Sequence, residues 1–322
     1  RDMIEVLIAE DSKVVREYLQ YLLEEDGSVR VVGAVANGRE AVEFVQRKRP
    51  DVVTMDIHMP VMDGFEATRR IMEEEPVPIV IVSASWDPKE VGNTFRALEA
   101  GAVSALEKPR GLGNPENEKL AREFVQMVKL MAEVKVVRRW GKKPPPEEKP
   151  APPEGKGKGD LAAVELVAIG ASTGGPNALR HVFSEIDPDL SVPVLVVQHM
   201  PAGFTLEFAA SLDRLSPLSV KEAEEGDVLK PGRVFIAPGG YHMAVTKRRL
   251  ATTIRLSEDD PVNGHRPSAD VLFSSMCAAY NNRVLGIIMT GMGRDGAKGL
   301  GEIYRAGGTT VAQDSESSVV YG

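Results

Sequence analysis

Short apolar runs rich in β-branched residues alternate along the chain with longer amphipathic segments. In the first half, MIEVLIA, VRVVGAV, PDVVTMD, PIVIVSA and VSALEK are too short for packed helices and read as buried strands. Residues 13–25, 38–49, 64–74 and 88–100 place apolar positions at helical spacing between them, and a last helix is predicted over 115–137. The second half repeats the alternation. VELVAIG, VPVLVVQH, GRVFIAP and RVLGIIMTG read as strands, and 177–185, 204–215, 268–281 and 297–306 as helices. HMAVTKRRLATTIRL reads as an inserted hairpin. Strands alternating with helices make parallel sheets covered on both faces, so the expected fold class is α/β, with two doubly wound parallel-sheet domains. There is no internal repeat and no heptad pattern.

Between the halves, RRWGKKPPPEEKPAPPEGKGKGD has almost nothing to bury and reads as a solvated, semi-rigid tether. The expected division is a first domain over 1–128, a helical extension and linker over 129–160, and a second domain over 161–322. With 322 residues, 43% of them hydrophobic, the chain is long enough for two cores. A net charge of −8 speaks against a nucleic-acid partner. The longest apolar runs fall short of the roughly 18 residues a membrane span needs, so no membrane insertion is expected. The opening RDMIEVLIAEDSK has no signal-peptide pattern. A single cysteine, Cys277, excludes an internal disulfide and a cysteine zinc site. These features predict a cytoplasmic protein.

In open parallel sheets, ligands collect at the carboxyl ends of the strands. Glu10 and Asp11 follow the first predicted strand, Asp56 the third, Ser83 the fourth, and Lys108 with Pro109 the fifth. Three converging carboxylates repel one another unless a cation joins them, and a hard divalent ion such as Mg2+ suits oxygen donors. A hydroxyl and an ammonium beside them suit an incoming phosphoryl group. The competing reading makes Asp11 only the cap of the helix that follows. The ED pair, MDIHMPVMDG, SAS and EKP together resemble the response-regulator receiver domain, from Met3 to about Val128. That resemblance implies a flavodoxin-like fold, Asp56 as phosphoacceptor, Glu10, Asp11 and Asp56 as Mg2+ ligands, Ser83 as switch hydroxyl and Lys108 as phosphate partner. It also implies a cis Lys108–Pro109 bond. Many receivers carry an aromatic switch residue three positions before the lysine, where this chain has Ala105.

In the second half, VAIGASTGGPNAL carries Gly170, Ser172 and Gly174 in a G-x-S-x-G pattern between a strand and a helix. Three readings stand: a nucleophile elbow, an anion-binding loop at a helix N-terminus, or a helix cap. The stretch matches neither the dinucleotide nor the P-loop glycine pattern. A nucleophilic serine needs a base, and the base needs an orienting group. His199 ends the next strand and Asp295 lies after a later one, on the same rim as Ser172. His58 and His181 lie elsewhere, and His242 and His265 remain possible bases. The order Ser, His, Asp differs from that of the α/β-hydrolases.

IGASTGGP, QHMPAGFT, APGGYHM, HRPSADVLF and MTGMGRDGAKG together resemble the catalytic domain of the chemotaxis receptor methylesterases, the CheB family. The resemblance extends over nearly the whole chain, receiver first. It implies a Rossmann-like second domain with Ser172 as nucleophile, His199 as general base and acid, and Asp295 as orienter. It places Met292 in the oxyanion hole through its N–H, with Thr173, His265 and Arg266 beside the site. The implied reaction is hydrolysis of glutamate methyl esters on chemoreceptor cytoplasmic helices, with methanol released, and in some members deamidation of receptor glutamines. The hydrolysis is expected to need no cofactor; the Mg2+ belongs to the receiver. The implied partners are the chemoreceptors, the chemotaxis histidine kinase as phosphodonor, and an intramolecular receiver–catalytic interface that inhibits until Asp56 is phosphorylated, with recruitment to chemoreceptor arrays. In that family a further helical segment follows the position of SSVVYG, so a truncated C-terminus is expected. Two rivals fit less well. A nucleotide-binding module calls for an acidic residue where the strand ends in His199, and a transcriptional regulator calls for a basic helix-turn-helix.

Overall fold

A computed structural model describes residues 3–83, 96–98, 100–109, 111, 115–134, 136, 164–200, 202–249 and 251–321. The chain divides into two compact units, Arg1–Glu147 and Glu148–Gly322. The predicted linker over 138–160 lies outside the described residues, as does most of the predicted 88–100 helix.

In the first unit β1 (Ile4–Ala9), β2 (Val29–Val35), β3 (Val52–Met55), β4 (Ile79–Ser83) and β5 (Ser104–Glu107) form one parallel sheet, ordered β2-β1-β3-β4-β5. β3 and β4 are buried along their whole length, as strands covered on both faces must be. Helices Lys13–Glu25, Gly38–Arg47, Gly64–Glu74 and Pro115–Met131 surround them. Side-chain caps start three of these helices: Ser12, Asn37 and Asp63 accept from the N–H of Val15, Glu40 and Glu66. Strand order reverses between β1 and β3, so the residues after these strands face one crevice.

In the second unit β6 (Leu166–Ala171), β7 (Val194–Gln198), β8 (Ser219–Glu222), β9 (Arg233–Ile236), β12 (Val284–Ile288) and β13 (Thr309–Ala312) form a parallel sheet ordered β13-β12-β6-β7-β9-β8. The antiparallel hairpin β10 (His242–Lys247) and β11 (Thr252–Ser257) stands apart from it, as expected. Helices Gly175–Glu185, Phe204–Leu215, Ala269–Tyr280 and Ala297–Arg305 complete the unit. β6 is central and wholly buried. Leu166 and Ala168 join Leu195, Val197, Phe235, Phe273 and Met276 in a core from which water is excluded, and burying each large side chain there contributes roughly 1.5–3 kcal/mol.

Three expectations are corrected. The last helix of the first unit ends at Met131 rather than near 137; Ala132 and Val134 continue the apolar pattern but not the helix. Strands β8 and β13 were not predicted. Both lie at sheet edges, and neither is fully buried, so they lack the apolar run that marks a central strand. Among the described residues the cis peptide bond is Arg266–Pro267, so Lys108–Pro109 is not cis. The trans form is the default for an X–Pro bond by about 0.5–1 kcal/mol.

Candidate active site

Each sheet carries a cluster of chemical groups at its carboxyl edge. In the first unit Lys108, buried after β5, places its Nζ 2.7 Å from Glu10 Oε2 and 3.0 Å from Asp56 Oδ2. The Ile57 N–H donates to Asp56 Oδ1 at 2.8 Å, and the Ser12 N–H to Glu10 Oε1 at 3.1 Å. Ser83 is buried at the end of the neighbouring strand. The cap of helix Lys13–Glu25 is Ser12, which leaves the exposed Asp11 free of the capping role.

Burial raises the pKa of Asp56, and the nearby Lys108 only partly offsets it. Glu10 is raised first by burial and then by the Asp56 charge, again with Lys108 opposing. Burial works against the Lys108 ammonium, but Asp56 and Glu10 outweigh it and hold its pKa up. Glu10, Asp11 and Asp56 can each offer one oxygen, and these oxygens lie within 4.8 Å of one another. An all-carboxylate donor set this close, with two members strained toward their neutral forms, fits a hard divalent cation such as Mg2+.

In the second unit Ser172, His199 and Asp295 line one pocket of ≈ 120 Å3 together with Met292, Tyr321 and Gln313. Ser172 follows the central strand β6, His199 follows β7, and Asp295 lies in the loop after β12. β6 pairs with both β7 and β12, so the topology brings three distant segments to one rim. Gly291 packs against the serine: a Cβ there would lie 2.8 Å from Ser172 Cβ, so no larger residue fits without displacing Ser172.

His199 Nε2 lies 2.8 Å from Asp295 Oδ2. His199 Nδ1 is buried and has no protein partner. With Nε2 donating its proton to the carboxylate, the lone pair is on Nδ1. Asp295 is held from several sides. The Ala269 N–H donates to Oδ2 at 2.7 Å, and Ser268 Oγ and the Asp270 N–H donate to Oδ1 at 2.5 Å and 3.3 Å. Asn263 Nδ2 donates to Oδ1 at 3.2 Å, and to Asp270 Oδ2 at 2.8 Å. The carboxylate therefore sits on the N-terminus of helix Ala269–Tyr280, where free amides and the helix dipole favour negative charge. Burial acts to raise its pKa, but the hydrogen bonds from His199, Ser268 and Ala269 outweigh it and hold Asp295 well below the usual carboxylate range.

His265 stacks on His199, with ring centroids 3.9 Å apart and planes 8° from parallel. Burial, and then the like charge of a protonated His199, lower its pKa, with Asp295 opposing. Met292 is partly exposed on the pocket wall, and its N–H has no partner among the described residues. Thr173 and Arg266 do not line the pocket. The Thr173 carbonyl accepts from Thr290 Oγ1 at 2.9 Å, and Arg266 Nη1 donates to the Glu258 and Asp259 carbonyls at 2.6 Å and 3.1 Å. Of the other histidines, His242 is buried with Nε2 on the Asp260 carbonyl at 3.1 Å, and His181 lies on helix Gly175–Glu185. Sequence reading gave Ser268 and Asn263 no role. Ser268 lies inside the quoted HRPSADVLF, but a hydrogen bond to a carboxylate 27 residues away leaves no local pattern.

The model of the CheB methylesterase family matches residues 167–322, and that of the response regulator receiver domain matches residues 6–114. A Geobacter metallireducens protein named protein-glutamate methylesterase/protein-glutamine glutaminase 4 is 49% identical over 320 residues, covering 99% of this chain and 91% of that protein. A protein-glutamate methylesterase/protein-glutamine glutaminase from Syntrophus aciditrophicus is 47% identical over 324 residues, covering 99% and 91% respectively. The crystal structure of the Thermotoga maritima CheB methylesterase catalytic domain is 40% identical, with a TM-score of 0.49, covering 49% of this chain and 84% of that one. Related along nearly its whole length to such proteins, and carrying both domains in their order, the chain belongs to the CheB family of protein-glutamate methylesterases with an N-terminal receiver.

Proposed function

We propose that residues 161–322 hydrolyse glutamate γ-methyl esters on the cytoplasmic helices of chemoreceptors, and that residues 1–128 switch this activity by phosphorylation, with 129–160 as the tether. The observation that carries the reading is the ring of His199, bound to Asp295 through Nε2 at 2.8 Å and keeping a partnerless Nδ1 in a pocket shared with Ser172. Ser172 Oγ attacks the ester carbonyl while Nδ1 takes its proton. Asp295, held ionised, stabilises the imidazolium. The Met292 N–H donates to the developing oxyanion. His199 then returns the proton to the leaving oxygen and methanol departs. Water, deprotonated by His199, cleaves the acyl-enzyme and restores the glutamate and Ser172. A receptor glutamine carboxamide would react in the same way, with ammonia as leaving group.

In the receiver, Asp56 accepts a phosphoryl group from the histidine kinase, and Glu10, Asp11 and Asp56 would hold the Mg2+. When bound, that ion neutralises charge on the transferring phosphoryl group. Lys108 is positioned to exchange part of its pairing with Asp56 for the new phosphoryl oxygens, and Ser83 offers its hydroxyl at the end of β4. Covalent tethering gives the receiver a high effective concentration at the catalytic unit, so a modest change in its preferred state shifts the balance between inhibited and active forms.

The test is methanol release from methylated chemoreceptor membranes by the intact protein and by Ser172→Ala, each with and without a small-molecule phosphodonor and Mg2+. The reading predicts release that vanishes in Ser172→Ala and rises with the phosphodonor. Release that persists in the alanine variant overturns the assignment of the nucleophile, and release indifferent to phosphodonor overturns receiver control.

A further inference from the structure

Gln198 ends β7, immediately before His199, and is 1% exposed. The four residues before it are apolar and buried, so an apolar side chain would suit the position for burial alone. Instead the carboxamide donates both N–H groups: Nε2 lies 2.9 Å from the Ser172 carbonyl and 3.0 Å from the His199 carbonyl. The amide oxygen Oε1 is buried without a donor. A buried acceptor without a donor is unfavourable and offsets part of what the two donated bonds add to stability, so stability alone is a weak reason for the amide. Its two bonds instead tie the main chain of the nucleophile to that of the base.

The surroundings leave the splint little play. Gln198 is the register partner of Ala171 in the β6–β7 ladder, and the His199 N–H donates to the Ala171 carbonyl at 3.0 Å. The Ser172 carbonyl also accepts from the Gly175 N–H at 2.8 Å. A Cβ on Gly175 would lie 1.9 Å from Gln198 Oε1, so only glycine lets the carboxamide in. The second glycine of STGG thus makes room for the amide across the strand, beyond any need of the serine turn itself.

We infer that Gln198 is a positioning residue for the esterase reaction, its carboxamide fixing Ser172 relative to His199. The inference rests on the esterase reading above. It touches no reacting atom, so its effect falls on the chemical step rather than on substrate binding. A displacement of the order of 1 Å in such a pair is enough to slow reaction by about a hundredfold.

The test uses the full chain, activated throughout with a small-molecule phosphodonor and Mg2+, with Gln198→Met, which keeps length but has no donors, and Gln198→Glu, which keeps shape and presents oxygen to both carbonyls. Labelling of Ser172 by a fluorophosphonate probe, in which Oγ bonds phosphorus, fluoride leaves and the serine proton passes to His199, is timed per mole of folded protein, with Ser172→Ala as blank. Ester turnover is measured alongside. The inference predicts that labelling rate and kcat fall together, by about tenfold to a hundredfold, in both variants, with KM within about twofold and the melting midpoint of Gln198→Met little changed. Labelling at the wild-type rate in whichever variants fold overturns it. A rate loss matched by a lost melting transition, or by a KM rise with kcat intact, also overturns it, since that is the signature of a purely structural role. A wild-type protein that does not label at all overturns the esterase reading and this inference with it.

Discussion

The two units place acidic groups at the same edge of the same kind of sheet and treat them in opposite ways. In the receiver, burial pushes Asp56 and Glu10 up, with Lys108 as partial compensation. In the catalytic unit, donors from Ser268, Ala269 and His199 push Asp295 down despite its burial. One cluster is under-neutralised and suited to receiving a cation and a phosphoryl group. The other is fully solvated by protein dipoles and needs nothing further to orient an imidazole. A strand-end carboxylate therefore carries no fixed function; the number of N–H donors the topology aims at it decides whether it recruits charge or supplies it.

The largest expected effect falls on Ser172, the proposed nucleophile. Ser172→Ala lowers esterase turnover by about 10^4-fold or more while leaving both units folded, as circular dichroism would show. Next, Asp295→Ala strips an acceptor from the N-terminus of helix Ala269–Tyr280 and from Ser268. It destabilises the catalytic unit by about 3 kcal/mol as well as abolishing activity, measurable as a lowered midpoint in denaturant. Asp56→Asn does the reverse in the receiver. Removing a buried charge that opposes Glu10 raises that unit's thermal midpoint by a few degrees, about 1 kcal/mol, and abolishes phosphorylation. If both carboxylate replacements destabilised equally, the contrast between the two sites would be wrong.

Acid titration sharpens the same contrast, because the signs oppose. Glu10 and Asp56 bind protons more tightly folded than unfolded, so their contribution to receiver stability falls as pH rises through the ordinary carboxylate range toward their raised values. Asp295 binds its proton less tightly folded. Its contribution is complete above about pH 4 and is lost as pH falls below that. Unfolding followed unit by unit across this range should show the Asp56→Asn receiver flatter with pH than the wild type, and the Asp295→Ala catalytic unit flatter than its own. The smallest effect concerns Val61, a β-branched residue at φ 68° in the loop between β3 and helix Gly64–Glu74. Glycine tolerates that conformation, so Val61→Gly should stabilise the receiver by about 1 kcal/mol, read as a rise in its melting midpoint.

Much of this was legible in the chain. Helices Lys13–Glu25, Gly64–Glu74 and Phe204–Leu215 fall where apolar spacing places them, because each buries one stripe against a sheet. The edge strands β8 and β13 did not show, since a strand with one neighbour and an exposed flank needs few apolar residues. Ser172, His199 and Asp295 stood out as polar residues after apolar strands, and the structure gathers them in one pocket. Gln198, Ser268 and Asn263 did not stand out. They act through backbone carbonyls, an amide terminus and a distant carboxylate that only the fold brings near. Of the residues expected beside the site, His265 stacks on His199, while the Arg266 guanidinium binds the Glu258 and Asp259 carbonyls; neighbouring positions on a loop do not share a direction.

The most direct test of the account is the tautomer of His199, read by nitrogen-15 NMR of the histidine side chains at neutral pH and assigned with His199→Gln. The account predicts a proton on Nε2, hydrogen-bonded to Asp295, and an unprotonated Nδ1, with this preference weakened in Asp295→Asn. A proton resident on Nδ1 would leave the nitrogen available to Ser172 without a lone pair, and would contradict the assignment of His199 as its base.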